Sequence, residues 1–474
     1  MGIWIIQMPK LEVHVLWEDL MNNKFKLLPL AIAGCILAAP VVAAEKANAN
    51  EGTVSAQLKV MEVVGAANNG FDPSEGSAYL LKLKYETASW NGAKVGLGFY
   101  NNGDFFNRTD FDAAATDPDK KLARGMFVDD EGQETSQMGE FYLKYDIENF
   151  GLSAGRQIYD TPLTNITYST TPTFYTVYGV NTTAVPGLKL SMDLVTQMSF
   201  GARTATDWGL IGEGTRTAGV TINPTALDGE NVQAQFLDIS VAATGDKTSD
   251  TDGITVFGAS YTGVKGLTLS AWDYYADDIS NTIYLDGSYG LGLGGGVKMK
   301  FFAQYLSQNE EGSLIEDNHM SGFTDGIDFS LFGLKGVVSW KGLMGFLAYN
   351  KSSGDTGMFN SWGGDPAYTS SIFSRNAYRE NVSAYKIGVK YNILKNLFVM
   401  LSHADYGQSD TTLSNGSIEA VTDAKETDFV IVYKPTKASM IKLFHANRTS
   451  EYDGFSPTAE RTQAHTRIVL SYDF

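Results

Sequence analysis

Ala464-His465-Thr466-Arg467-Ile468-Val469-Leu470-Ser471-Tyr472-Asp473-Phe474 ends the 474-residue chain. Successive side chains of an extended strand point to opposite faces, so Ile468, Leu470, Tyr472 and Phe474 share one face, and Arg467, Ser471 and Asp473 the other. The segment is a strand with one greasy side and an aromatic as its last residue. One strand of this kind also suits the edge of a soluble sheet, so the rest of the chain has to decide what the greasy side meets.

The same alternation recurs throughout. Tyr79, Leu81, Leu83 and Tyr85 alternate with Lys82, Lys84 and Glu86, and Phe141, Leu143, Tyr145 and Ile147 alternate with Glu140, Lys144 and Asp146. Leu188, Leu190, Met192 and Leu194 alternate with Lys189, Ser191 and Asp193, Val297, Met299, Phe301 and Tyr305 with Lys298, Lys300 and Gln304, and Tyr385, Ile387, Val389 and Tyr391 with Lys386 and Lys390. Several apolar faces begin and end in aromatics, which is the pattern of girdles at two membrane interfaces. A soluble sandwich would turn these faces inward, and a chain of this length would then divide into two domains.

Connections alternate in length. Short ones lie at Trp90-Asn91-Gly92, Asn149-Phe150-Gly151, Val185-Pro186-Gly187, Val264-Lys265-Gly266, Trp340-Lys341-Gly342 and Pro435-Thr436-Lys437. Long polar ones run from Asn102 to Thr135, Gly201 to about Arg216, Lys351 to Glu380, Gly407 to Glu426 and Arg448 to Gln463. Short turns at one end and long loops at the other predict an all-β, transmembrane antiparallel β-barrel of about 18 strands, within a range of 16 to 20. Two further candidate strands, Arg216 to Asn223 and Asn231 to Ala243, have weak patterns. Gly292-Leu293-Gly294-Gly295-Gly296 lacks the Lys-Ser/Thr of a phosphate loop and reads as a turn.

The other terminus agrees. Lys24 and Lys26 precede an apolar run from Leu27 to Val42, and Val42-Ala43-Ala44 stands before Glu45. The expectation is a signal peptide over residues 21–44, preceded by a mis-assigned start over residues 1–20, with the barrel over residues 45–474. Ile32-Ala33-Gly34-Cys35 also has the form of a lipoprotein box, although the apolar run continues well past Cys35. Cys35 is the only cysteine, so the exported chain is expected to hold neither a disulfide nor a thiolate metal site. A net charge of -18, unchanged on removing a leader with three bases and three acids, excludes nucleic acid as a partner. Past the leader no apolar run is long enough for a membrane helix, and 12% aromatics with 49 glycines and 12 prolines fit strands and turns.

Three motifs, Tyr85-Glu86-Thr87-Ala88-Ser89-Trp90-Asn91-Gly92, Gly155-Arg156-Gln157 with Asp160-Thr161-Pro162-Leu163, and Trp272-Asp273-Tyr274-Tyr275-Ala276-Asp277-Asp278-Ile279, resemble those of OprD-type outer-membrane porins, particularly the epsilonproteobacterial type. The resemblance implies an 18-stranded barrel, monomeric or trimeric, in the outer membrane of a Gram-negative cell. It further implies loops folded into the channel and small, often carboxylate-bearing solutes. The chain departs from these porins after Leu163, where Asn165 to Pro172 carries no charge in place of an Asp-x-Arg pattern. Expected partners are the lipid bilayer, lipopolysaccharide, the barrel-assembly machinery acting through the strand that ends in Phe474, and small solutes.

If the apolar faces meet lipid, the lumen receives Lys82, Lys84, Lys94, Glu140, Lys144, Lys189, Lys298, Lys300, Lys386, Lys390 and Arg467, and the motif residues Arg156 and Asp160 join them as pore-lining candidates. Bases outnumber acids on this wall, while the loop from Asn102 to Thr135 holds nine acids against four bases. A basic wall in a narrow channel favours anions; alternatively, the lysines pair across strands with carboxylates and only hold register. The acidic loop offers divalent cations shared with lipopolysaccharide a place to bind. Catalysis has little support: His319, His403, His445 and His465 are too scattered for metal-ligand spacing, leaving a lipid-acting barrel enzyme using His403 with Ser402, or His445, as one alternative and a plugged adhesin as another. No cofactor is expected.

Overall fold

The structure, a computed structural model, describes residues 51–67, 75–105, 134–164, 169–201, 234–317, 326–360, 362–372, 374, 376–407, 409–412, 418–453 and 460–474. The expected leader, the candidate strand Arg216 to Asn223, His319 and most of the acidic loop lie outside them.

Twenty β-segments follow one another among the described residues. They are β1 (Thr53–Ala67), β2 (Glu75–Glu86), β3 (Ala93–Gly103), β4 (Thr135–Ile147), β5 (Phe150–Gln157), β6 (Phe174–Thr182) and β7 (Leu188–Ser199). Next come β8 (Leu237–Asp238), β9 (Ile254–Tyr261), β10 (Leu267–Ala276), β11 (Ser280–Gly294), β12 (Val297–Glu310), β13 (Asp328–Trp340) and β14 (Leu343–Ser353). The last are β15 (Ser383–Leu394), β16 (Leu397–Asp405), β17 (Ser409–Thr412), β18 (Ile418–Tyr433), β19 (Ser439–Asp453) and β20 (Glu460–Asp473). All pairings are antiparallel, between sequence neighbours except for β7 with β9 and β16 with β18, and β20 returns to β1 with Asp473 opposite Gln57 and Arg467 opposite Val63, which closes the sheet. The two-residue β8 only extends the edge of β7, and β17 pairs with β18 beyond the end of β16, so eighteen strands make the wall. Closure removes the free edge that an open sheet would expose to lipid.

Both described ends of the chain lie at the short-turn end of the barrel, since Thr53 pairs with Glu86 and Asp473 with Gln57. Two of the expected turns are tight because their sequences accept positive φ. Asn91 and Gly92 have φ of 48° and 91°, and Lys341 and Gly342 have 45° and 86°. Positive φ at both central residues is the signature of a two-residue hairpin whose twist matches its strands. At the other end, short helices α1 (Ile239–Thr244) and α2 (Leu314–Asp317) and a 3-10 turn (Asn376–Tyr378) sit in the connections.

The greasy rows face out. Leu81, Leu83, Phe141, Leu143, Ile283, Leu285, Phe332, Leu334, Ile387 and Val389 are all exposed, as are the flanking aromatics Tyr85, Tyr178, Tyr289, Trp340, Tyr385 and Tyr391. No helix among the described residues could cross a membrane; the strands do. On β20, Phe474 is exposed and packs edge-on against Tyr472 with ring centroids 4.7 Å apart, while Leu470 and Tyr472 are buried.

Three expected segments change character. The loop predicted from Gly407 to Glu426 is shorter, because β18 already begins at Ile418. The loop from Arg448 to Gln463 is likewise strand up to Asp453 and again from Glu460. Here β18, β19 and β20 rise past the lipid band into water on both sides, so neither face needs to be apolar and the alternation that marks a membrane strand disappears. Of the described residues within Asn231 to Ala243, Leu237–Asp238 is strand, and Ile239–Thr244 is a helix whose six residues are all buried.

Candidate functional site

The interior is built from alternate strand residues and from two connections that enter it. Lys84 Nζ lies 2.5 Å from Glu140 Oε2, and Tyr100 donates a 2.6 Å hydrogen bond to Glu140 Oε1, so a carboxylate only 2% exposed is held by a cation and a phenol. One row nearer the turns, Lys94 lies 3.4 Å from Glu86, which also accepts from Tyr142 at 2.8 Å. Lys144 sits opposite Lys94 in register, with its ammonium 4.5 Å from the Tyr142 ring, and Lys82 reaches the Tyr100 ring at 5.9 Å.

Farther round the wall, aromatic rings replace carboxylates as the seats of cations. Lys300 lies 4.7 Å from Phe302, Lys390 3.7 Å from Phe398, and Arg467 5.0 Å from Phe444. Such seats attract the cation through the ring quadrupole without cancelling its charge. Lys386 is buried: its Nζ donates to Ser370 O and Ser371 Oγ at 2.8 Å each and lies 3.5 Å from Asp428. Lys189 and Lys298 are exposed, in register with Ser260 and Ser339.

Arg156 stands apart from the expected set. Its register partner is Phe141, a residue of the lipid-facing row, and its guanidinium lies 4.1 Å from the Phe236 ring. The alternation of β5 puts it there, since Arg156 shares its face with Phe150, Leu152 and Ala154 and no register shift interrupts the pairing with β4. Asp160 is exposed on the connection beyond β5.

That connection, residues 158–173, reaches the barrel seam, where Lys59 Nζ donates to Thr170 O at 2.8 Å and Thr170 Oγ1 to Met61 Sδ at 3.3 Å. In between it meets the second inserted connection, residues 354–382. Gly364 N and Asn360 Nδ2 both donate to Leu163 O, at 2.8 and 3.1 Å, and Tyr175 donates to Trp362 O at 2.9 Å. A Cβ on Gly364 would fall 2.3 Å from the Leu163 carbonyl carbon, so the two backbones touch only because this residue has no side chain. The second connection is clasped to the wall by Gln308, which donates to Phe359 O and accepts from Phe359 N, each at 2.7 Å. Glu426 accepts from Ser374 N at 2.7 Å, and Tyr406 donates to Thr369 O at 3.1 Å.

Beneath these contacts lies an apolar core that includes Leu163, Tyr175, Tyr274, Tyr284, Leu306, Leu331 and Trp362 together with α1. It fills one side of the lumen, the side walled by β6 to β14, and leaves the basic residues of β1 to β4 and β15 to β20 on the other. Tyr159, on the first connection, donates to Asp193 at 2.9 Å; burial pushes its hydroxyl well above the usual phenol range, so it remains a proton donor at any physiological pH.

Several inward bases were not singled out from the sequence, among them Arg448, which is buried. Lys59 follows the alternation of β1, where Val54, Ala56, Leu58 and Val60 face one way and Ser55, Gln57 and Lys59 the other, and it was visible in the sequence. Lys335 is the one charge in an apolar run, and it faces the Phe302, Phe346 and Tyr368 rings at 5.2 to 5.9 Å. Lys442 follows the alternation Met440, Lys442, Phe444, which was visible in the sequence. The proposed dyad of Ser402 and His403 does not form: as consecutive strand residues they point to opposite faces, Ser402 buried and inward, His403 exposed and outward.

The family model described as outer membrane porin, OprD family, matches residues 209–474. The fold is similar to solved channels at low identity. OccK9 (OpdG) of Pseudomonas aeruginosa is 13% identical with a TM-score of 0.67, over 90% of this chain and all of that one. OpdK of Pseudomonas aeruginosa, solved with vanillate, is 15% identical with a TM-score of 0.64, over 89% of this chain and 98% of that one. OccAB4 of Acinetobacter baumannii is 13% identical with a TM-score of 0.65, over 90% and 98%. No curated protein shows significant sequence similarity to the chain. With a closed eighteen-stranded wall, connections folded into its lumen and a family match over more than half its length, the chain belongs to the OprD family of outer membrane porins.

Proposed function

We propose that this Gram-negative outer-membrane channel prefers small anions, carboxylates among them, and that the lumenal bases Lys82, Lys84, Lys94, Lys144, Lys189, Lys298, Lys300, Lys386, Lys390 and Arg467 set that preference. The observation that carries the reading is an imbalance in pairing. Of the inward acids, Glu86, Glu140 and Asp428 each lie against a lysine, and Asp193, Asp286 and Glu426 each accept from a hydroxyl or a backbone amide, whereas Lys82, Lys144, Lys300, Lys335 and Lys390 have no ion-pair partner among the described residues and rest on aromatic rings or in water. Their fields add in a narrow lumen and lower the energy of an anion there. Vanillate, held by the similar channel OpdK, is itself a carboxylate.

The test is the reversal potential of single channels in a planar bilayer under a KCl gradient. Chloride preference is expected, moving toward cations in the Lys82→Gln/Lys144→Gln/Lys390→Gln variant. Cation preference in the wild-type channel would sink the reading. For assembly, the exposed C-terminal Phe474 beside the start of β1 supports recognition of β20 during insertion. Deleting Phe474 is then expected to reduce the amount of folded barrel reaching the outer membrane.

A further inference from the structure

The connection of residues 354–382 is held to the wall in two different ways. Its first half is held by neutral groups: Gln308 on Phe359, Asn350 Oδ1 accepting from Thr369 N and Oγ1 at 2.9 and 3.1 Å, and the Tyr406 hydroxyl on Thr369 O. The stretch that follows, bearing Ser370, Ser371, Ser374 and Arg379, lies against charges. Glu426 and Asp428, two residues apart on the inward face of β18, are both buried, and Glu426 accepts from Ser374 N at 2.7 Å. Lys386 of β15 lies 3.5 Å from Asp428 and donates to Ser370 O and Ser371 Oγ. Arg448 of β19 is buried in register with Glu426. Arg379, on the connection itself, is 1% exposed, with its guanidinium 4.9 Å from the ring of the buried Tyr406. The charges of Glu426, Asp428 and Arg379 all act on that tyrosine's hydroxyl, so they share one site.

Two carboxylates and three cations are thus packed together out of water, and like charges this close tolerate burial only beside opposite ones. A guanidinium keeps its proton throughout the pH range of a folded protein, so Arg379 stays buried only while carboxylates face it. Lys386 and Arg448 stand on the wall and can turn toward the lumen in place. Arg379 reaches water only by taking its stretch of the connection with it. Its carbonyl accepts from Ser352 Oγ, one residue short of the upper end of β14, so water lies close above it. The other titratable groups around this site are Asp365, which accepts from Ser370 Oγ and Ala367 N within the connection, and Glu380 beside Arg379. Lys335 on β13 opposes the charge of Lys386, and His465 stands in register with Ala446 in the row of Asp428.

We propose that the stretch bearing Ser370, Ser371, Ser374 and Arg379 is a proton-sensitive gate that opens in acid. At neutral pH the opposed charges hold it against β15 to β19 and the lumen is narrow. Acid neutralises Glu426 and Asp428, which leaves Arg379 buried without an anion, and the stretch leaves the wall for the water above. The contacts of Gln308, Asn350 and Tyr406 with the first half of the connection carry no charge and do not respond to acid. Opening is therefore partial, and it reverses when the carboxylates ionise again.

The test is the single-channel conductance of the refolded full chain in symmetrical KCl, stepped from pH 7 to about pH 4, across the carboxylate range. The wild-type conductance is expected to rise roughly two-fold as the open cross-section grows, and to return at pH 7. Glu426→Gln/Asp428→Asn carries the acid state at every pH, so it is expected to show the large conductance already at pH 7 and no step. Arg379→Gln/Glu426→Gln removes the guanidinium together with an anion that faces it, and is expected to keep the small conductance at both pH values. Heat-modifiable migration in detergent gels reports that each barrel has folded, and the second variant decides the matter if the first does not fold. Conductance in symmetrical salt is read whichever ion carries the current, so the outcome stands apart from the anion preference proposed above. A wild-type channel without a step overturns the proposal. So does a step that persists in either variant, which is what a general loss of negative charge from the lumen would give.

Discussion

At the scale of single residues, the decisive contrast is between neighbours on one strand. Leu83 and Lys84 are adjacent, yet one meets lipid and the other a buried carboxylate, because strand side chains alternate. Replacing Lys84 by Met leaves Glu140 inside the wall with only the Tyr100 hydroxyl. Breaking a fully dry pair costs about 3–5 kcal/mol. Lys84 keeps a quarter of its side chain exposed, so a loss on the order of 2 kcal/mol is expected, discounted for solvent screening. Urea unfolding of the refolded barrel measures it, and Lys84→Met/Glu140→Gln should recover most of the loss, since the stranded charge is then gone. Leu83→Arg tests the other face. A cation facing lipid is expected to cost about 2–4 kcal/mol near the midplane, whereas Lys82→Arg, one residue away on the inward face, should unfold at the wild-type urea concentration. The facing of such residues was legible in the sequence. So was that of Arg156, which shares its face of β5 with Phe150 and Leu152; the motif it belongs to, and not the alternation, had placed it among the pore-lining candidates.

At the scale of elements, the strands follow from pattern and the inserted connections do not. The connection of residues 354–382 is held by point contacts: Gln308 on both polar groups of Phe359, Glu426 on Ser374, and Lys386 on Ser370 and Ser371. Gln308→Ala removes the two-sided clasp on the buried backbone N–H and C=O of Phe359. Single-channel recordings should then show a larger and noisier conductance, because the connection no longer stays against the wall. Gly364→Val is expected to act in the same direction by pushing residues 158–173 and 354–382 apart. An unchanged conductance in both variants would mean that these connections do not define the narrow part of the channel. From the sequence Lys351 to Glu380 reads as a polar loop, and nothing local distinguishes a loop that enters the lumen from one that leaves it. The buried members of the two connections, Leu163, Phe359 and Trp362, are the retrospective signal, since a water-exposed loop has no use for them.

At the scale of the whole molecule, stability rests on closure. β20 is paired on both sides, with β19 and with β1, so every backbone group along it is required for the wall to be continuous. Val469→Pro removes one ladder donor and fixes φ in the middle of that strand. The variant is expected to lack the compact form that migrates faster in unheated detergent gels, whereas Val469→Ile should retain it. The chain's alternation, aromatic borders and alternating connection lengths determined by themselves that this is a membrane barrel of about 18 strands. They could do so because the membrane imposes the same two-residue period on every strand that crosses it, and each strand carries that signal alone. The tertiary structure decided what no strand carries alone: which lysines are neutralised, which side of the lumen is filled by residues 158–173 and 354–382, and how far β18 to β20 rise beyond the lipid. Those outcomes depend on contacts between residues up to hundreds of positions apart, such as Lys59 with Thr170 and Gly364 with Leu163, and on water above the membrane, where polarity no longer has a preferred face.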